Sequence, residues 1–285
     1  MVKSRKNKNK RIKYRRRKNR TKKNKNKSKR QYGGIPEYKI IGRGHKVKVL
    51  VEIDEPRFVY KVFEPSHDKT LSTKQCKIQE KIQSFEEITR FSYVKIPELI
   101  SCETDDTGQT ILKFERVYNI NDTDINNPSQ PTNILLRLDD DIDAYNDKND
   151  KPLNYIRQFV DETVYRECIN QLGNMFGILN FLCQIKTDDV EIVFGKLTID
   201  GPPKLFILDF DQCQSYTLEK LLIFINSNVR YSGYDFDILG RKHVMTLNKL
   251  GELKFIFNDG YLEYPRMLNP ETVQLAETIL TNYSK

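Results

Sequence analysis

Leu205-Phe206-Ile207-Leu208-Asp209-Phe210-Asp211 is a four-residue apolar run that ends abruptly in two carboxylates flanking a phenylalanine. A short, continuous apolar run bounded by turn signals is the pattern of a buried strand. Asp209 and Asp211 at its mouth would put hard oxygen ligands where the core meets solvent, which suits a magnesium ion bridging phosphate oxygens. An acidic turn closing a core strand has the same local sequence, so the flanking segments decide between the two.

Just upstream, Glu191-Ile192-Val193-Phe194 is a second β-rich run, and Asp200-Gly201-Pro202-Pro203 supplies a turn, so a hairpin is expected. Before it, Val160, Val164, Cys168, Leu172, Met175, Leu179 and Leu182 recur at intervals of four and three, predicting a buried helix. Residues 119–155 are rich in Asn, Asp and Pro and read as a long connection with one short element near Ile134-Leu135-Leu136. Beyond Leu218 the pattern is helical with irregular joins.

Nearer the front, Tyr38-Lys39-Ile40-Ile41 is the first patterned segment. Residues 47–53 then alternate, Asp54-Glu55-Pro56 turns, and Phe58-Val59-Tyr60-Lys61-Val62-Phe63 is β-rich, which predicts another hairpin. Ile78, Ile82, Phe85 and Ile88 follow at helical spacing, with Lys77, Glu80, Lys81 and Glu87 on the polar face. Residues 94–100 and 110–117 resume as strands. The expectation is an α+β protein: a basic tail over 1–34, a β-rich lobe with one helix over 35–118, an acidic hinge over 119–155 and a mainly helical lobe over 156–285.

This order of elements resembles the two-lobed protein-kinase fold. Gly42-Arg43-Gly44-His45-Lys46-Val47-Lys48-Val49 resembles the kinase glycine-rich turn G-x-G-x-x-G-x-V, with Val47 in place of the third glycine. Lys61 stands as in the kinase V-A-I-K strand, and Glu80, 19 residues on, as its acidic helix partner. Asp209-Phe210-Asp211 is similar to the metal-binding D-F-G segment, in the D-F-D form of aminoglycoside and choline kinases. The resemblance implies ATP and Mg2+ as cofactors. Gly42, Gly44, Val49, Lys61, Glu80, Glu115 and Val117 would line the nucleotide, and Asp209, Asp211 and Glu191 would hold metal. Taken singly, the glycine segment also reads as a plain hairpin turn, Lys61 and Glu80 as solvated charges, and Asp209-Phe210-Asp211 as an acidic turn after a core strand.

A closer resemblance joins three blocks. Residues 189–195 (DVEIVFG), 208–213 (LDFDQC) and 257–266 (FNDGYLEYPR) look like blocks of a domain of unknown function from filamentous fungi and large DNA viruses, whose members often carry the label "zinc finger protein". Gly260 replaces the first proline of the last block. That domain implies a kinase-like fold and no particular reaction. The catalytic loop departs from the kinase pattern: residues 184–191 (QIKTDDVE) lack the His and Asn of H-R-D-x-x-x-x-N, and Lys186 falls where the Asp should be. Asp188 or Asp189 would have to orient the acceptor.

The net charge of +9 sits entirely at the front, where residues 1–30 hold 18 Lys and Arg and no acid; the remainder has 30 basic and 39 acidic residues. Such a tail cannot bury enough apolar surface to order itself and is expected to be disordered. Arg11 to Arg20 can neutralise phosphates of a nucleic acid and resembles a nuclear or nucleolar import signal. A solubilising arm docked on the acidic body is the plainer alternative. No run of about 20 apolar residues suggests a membrane span, so a soluble intracellular protein is expected, in the nucleus or nucleolus, or in a virion if the source is viral. Five cysteines without a C-x-x-C pair and three scattered histidines predict reduced thiols and no structural zinc. Three functions follow: a pseudokinase-type nucleotide- or protein-binding module, favoured by the altered catalytic loop; an active ATP/Mg2+-dependent phosphotransferase; and a basic nucleic-acid-binding or packaging protein.

Overall fold

Alternation and β-branched content over residues 38–63 fold as read, into three antiparallel strands: β1 (Tyr38–Gly44), β2 (Val47–Glu52) and β3 (Phe58–Phe63). The computed structural model describes residues 37–44, 47–63, 69–106, 109–124, 134–137, 150–187, 190–221 and 251–282. The basic tail, His45-Lys46 at the glycine-rich turn, most of the acidic connection and Asp188-Asp189 lie outside these residues. Pro36–Lys285 is one compact α+β unit.

After β3 comes helix α1 (Lys69–Gln83). The repeat Ile78, Ile82, Phe85, Ile88 does not continue as one helix: Phe85 is extended (φ −102°, ψ 119°), and Glu86–Thr89 is a separate 3-10 turn. Strands β4 (Val94–Lys95), β5 (Leu99–Thr104) and β6 (Thr110–Glu115) follow. β5 and β6 complete a five-stranded sheet ordered β1-β2-β3-β6-β5. Its inner face buries Val47, Phe63, Leu112 and Phe114.

A second sheet is ordered β4-β12-β11-β8-β9, with β7 (Tyr118–Asn119) also pairing β11. The hairpin predicted from residues 191–208 is its centre, β11 (Glu191–Lys196) against β12 (Lys204–Leu208). The short element near Ile134 is β8 (Ile134–Arg137), hydrogen-bonded to β11, and β9 (Asp150–Pro152) runs parallel to it. The polar connection thus adds strands to the second sheet. The small pair β10 (Ile185–Lys186) and β13 (Gln214–Ser215) brackets the hairpin.

Helix α2 (Glu162–Phe181), capped by Asp161 accepting from the Val164 N–H at 2.8 Å, is buried along nearly all of its second half. It crosses α3 (Leu253–Leu268), against which α4 (Pro270–Asn282) packs in turn. Phe176, Phe181, Phe257 and Tyr261 fill the crossing. Among the described residues no helix is long and apolar enough to cross a membrane.

One expectation is overturned. Cys76 on α1 and Cys102 on β5 form a disulfide across Cα atoms 6.1 Å apart, within the range such a bond requires. The pair is 26 residues apart in sequence and shows no spacing signature, because only the packing of α1 on the sheet edge brings the two together. Cys168, Cys183 and Cys213 are free and buried; burial pushes the first two thiols up to about 12, leaving them inert.

Candidate functional site

The connection between the sheets sets the site. Arg116, 1% exposed, donates from its backbone N–H to Arg57 O at 3.0 Å and from Nη1 to Pro56 O at 2.9 Å, and its guanidinium lies 4.3 Å from the Tyr118 ring centroid. Tyr118 Oη also donates to Pro56 O, at 3.2 Å. One residue on, β7 joins β11, and Lys196 on β11 donates to Asp122 O at 3.1 Å. Residues 116–122 therefore fasten the β2–β3 turn of the first sheet to the central strand of the second.

Across the inner face of the first sheet the register makes a single row. Gly42 pairs with Val49, Val49 with Lys61, Lys61 with Leu112, and Leu112 with Cys102. A Cβ at Gly42 would stand 3.4 Å from Val49 Cβ, so the glycine keeps the row low over that side. Gly44 closes the same strand pair opposite Val47.

Lys61 reaches from this row to the end of β12. Its Nζ lies 2.5 Å from Asp209 Oδ1 and 3.6 Å from Asp211 Oδ2, joining residues 148 positions apart. The Lys61 side chain is 14% exposed and those of Asp209 and Asp211 34% and 25%, so the cluster is partly buried and open to solvent on the carboxylate side. Asp209 adopts φ 60°, a left-handed conformation that asparagine and aspartate tolerate better than other residues and that concentrates at functional sites. Phe210, fully buried, faces the core between them. Glu191 stands directly across from Leu208, one residue from Asp209.

Not every predicted residue converges. Glu80 is on the exposed face of α1, with Oε1 3.7 Å from Cys76 Sγ, and among the described residues the ion pairs of Lys61 are with Asp209 and Asp211. The Glu115 side chain belongs to the outer face with Lys113; burial holds its carboxyl above the usual range, helped by the charge of Glu98 and opposed by Lys95. Val117 packs at the second sheet, where a Cβ on Gly195 would come within 2.6 Å of its Cγ1. Asp188 and Asp189 lie outside the described residues, but their approach is well braced. Asn180, fully buried at the end of α2, donates to Ile185 O at 2.8 Å and Thr187 Oγ1 at 3.4 Å. Its Oδ1 accepts from Tyr261 Oη at 2.9 Å, and its carbonyl from Tyr216 Oη at 2.5 Å. Tyr261 thus ties the sequence block over 257–266 to the loop before Asp188.

Among the described residues no cluster of three or more His, Cys, Asp or Glu could hold a metal ion by itself. No family model matches the chain, and no curated protein matches it.

Proposed function

We propose that this chain is a diverged kinase-like domain, with residues 35–118 and 156–285 as its two lobes, that binds a magnesium nucleotide between its two sheets and acts as a pseudokinase-type binding module. The observation that carries this reading is the Lys61–Asp209 contact at 2.5 Å, a strand lysine meeting a strand-end carboxylate in a partly buried pair. The order β1-β2-β3-β6-β5 with a helix inserted after the lysine strand, followed by a hairpin that ends in the acidic turn, supports it as well.

The residues fit magnesium and phosphate. Lys61 already places one positive charge against both Asp209 and Asp211, so the carboxylates are set to share a cation. Magnesium is commonly held by one or two carboxylates with substrate phosphates completing its shell, which removes the need for a third protein ligand. Asp209 and Asp211 would hold the ion, Glu191 stands beside them, and Lys61 would position phosphates; Gly42 and Val49 would form the floor under the nucleotide. The ion would neutralise phosphate charge. The missing His and Asn of the catalytic loop favour binding over transfer, and an active phosphotransferase using Asp188 or Asp189 is the alternative.

ATP is expected to raise the melting temperature of the full chain only with magnesium present, and Asp209→Asn and Lys61→Ala to remove that response. No stabilisation by any nucleotide would reject the reading. Transfer of labelled phosphate then separates enzyme from pseudoenzyme.

The charge distribution favours a second activity: the tail binds nucleic acid by phosphate neutralisation, consistent with a nuclear or virion location. Counterion release makes such binding fall steeply with salt. Deleting residues 1–31 is expected to abolish salt-sensitive RNA or DNA binding, measured by fluorescence anisotropy at two or more salt concentrations; undiminished binding would dismiss it.

A further inference from the structure

We propose that the buried amides of Gln75 and Gln79 on α1, in place of the Glu80 carboxylate, are positioning residues that receive the Lys61 ammonium when Asp209 and Asp211 turn to a magnesium nucleotide; this rests on the nucleotide-binding reading above. Both side chains are 2% exposed, and the Oε1 atom of each is buried with no hydrogen-bond partner. Buried acceptors are almost always satisfied, so two unpartnered ones on one helix face need an explanation.

Their place in the fold supplies it. Cys76 is bonded to Cys102, and Cys102 ends the row Gly42–Val49–Lys61–Leu112, so the disulfide pins α1 at the level of Lys61. Ser72 Oγ lies 3.1 Å from Thr110 Oγ1 on β6, one strand closer to Lys61 than Cys102 on β5. The Ser72 side of Cys76 is therefore the side toward β6, the strand between β5 and β3. At about 100° per residue, Ser72, Gln79 and Gln75 lie about 40°, 60° and 100° to that side of Cys76, whereas Glu80 lies about 40° to the other. Burial agrees, with Ser72, Gln75 and Gln79 covered and Glu80 exposed.

Two amide oxygens thus lie on the helix face turned toward a lysine whose present partners are the carboxylates a magnesium ion would take. A neutral acceptor leaves Lys61 its full charge for phosphate while still orienting it. It also avoids adding a third carboxylate beside Asp209 and Asp211.

The test uses the full chain with its disulfide intact, reading the melting temperature without ligand and the Kd for Mg-ATP by calorimetry. The double variant Gln75→Leu/Gln79→Leu is expected to melt at or above the wild-type temperature, because an unpartnered buried acceptor has been removed, yet to bind Mg-ATP about tenfold more weakly or worse. Glu80→Ala should change binding far less. Gln79→Glu, equal in size, is expected to melt below wild type without ligand, because it buries a carboxylate, and to bind Mg-ATP less tightly than wild type, because it adds a third carboxylate beside Asp209 and Asp211. Wild-type binding by the double variant, an equal loss in Glu80→Ala, or tighter Mg-ATP binding by Gln79→Glu would each overturn the assignment while leaving the nucleotide site standing. A wild-type chain that ignores Mg-ATP would remove both.

Discussion

Gly260→Ala lowers the stability of the fold by about 3 kcal/mol or more, and Gly173→Ala by a similar amount, as the expected outcome of overpacking a helix crossing. A Cβ on Gly260 would collide with the Asn170 carbonyl of α2 and stand 3.1 Å from the Asn174 nitrogen. On the facing side, a Cβ on Gly173 would meet the Phe257 carbonyl, and one on Gly177 the Tyr261 carbonyl. Each obstacle is backbone, so no rotamer change can relieve it and the helices must separate. Separation would open gaps around Phe176, Phe257 and Tyr261, all buried, and would strain the Tyr261–Asn180 hydrogen bond that braces the loop before Asp188. Gly251→Ala is the informative comparison: Gly251 has φ +54° but nothing within 4 Å, so it should cost only about 1 kcal/mol, the ordinary penalty of left-handed backbone. Urea denaturation reads the difference directly. Equal midpoints for Gly260→Ala and Gly251→Ala would mean that α2 and α3 do not cross backbone to backbone.

The same position shows what a sequence conceals. Gly260 stands where the block that residues 257–266 resemble has proline, and nothing in its sequence neighbours explains a glycine there. The explanation lies about 90 positions away in sequence, at Asn170 of α2. Features set by local chemistry were legible: the alternation of β2 and β3, the four-three spacing of α2, and the apolar strand that stops at Asp209. Lys61 and Asp209 could be nominated because one puts a charge of the right kind inside an apolar strand and the other ends such a strand. The inward face of α1 could not, because Ile78 and Ile82 alone suggested which side was buried. Ser72, Gln75, Cys76 and Gln79 are polar or neutral, yet they share that burial. A covered polar face looks solvated in one dimension, which is why Glu80 drew attention and the two glutamines did not. The disulfide and the pairing of β8 with β11 failed to show for a related reason: both are contacts between distant segments with no local signature.

Phe210→Ala is expected to cost about 3–5 kcal/mol, the usual range for truncating a buried phenylalanine, and to weaken Mg-ATP binding beyond what lost stability explains. Phe210 is fully buried in the main core with Leu205 and Ile207 of β12. Its two neighbours are the carboxylates that meet Lys61, so burying this ring fixes the backbone between them. Asp209 sits at φ 60°, a conformation that persists only where surrounding contacts over-determine it. Without the ring, the segment can relax to ordinary backbone and carry Asp209 away from Lys61. Phe210→Leu separates the two effects. It retains most of the buried surface and should lose less stability, while the smaller, differently shaped side chain holds the turn less firmly. Comparing urea midpoints with Mg-ATP affinity at a temperature where all three proteins are folded gives the measurement. If Phe210→Ala binds as tightly as the wild type under those conditions, the carboxylates owe their alignment to Lys61 alone and the core contributes nothing to the site.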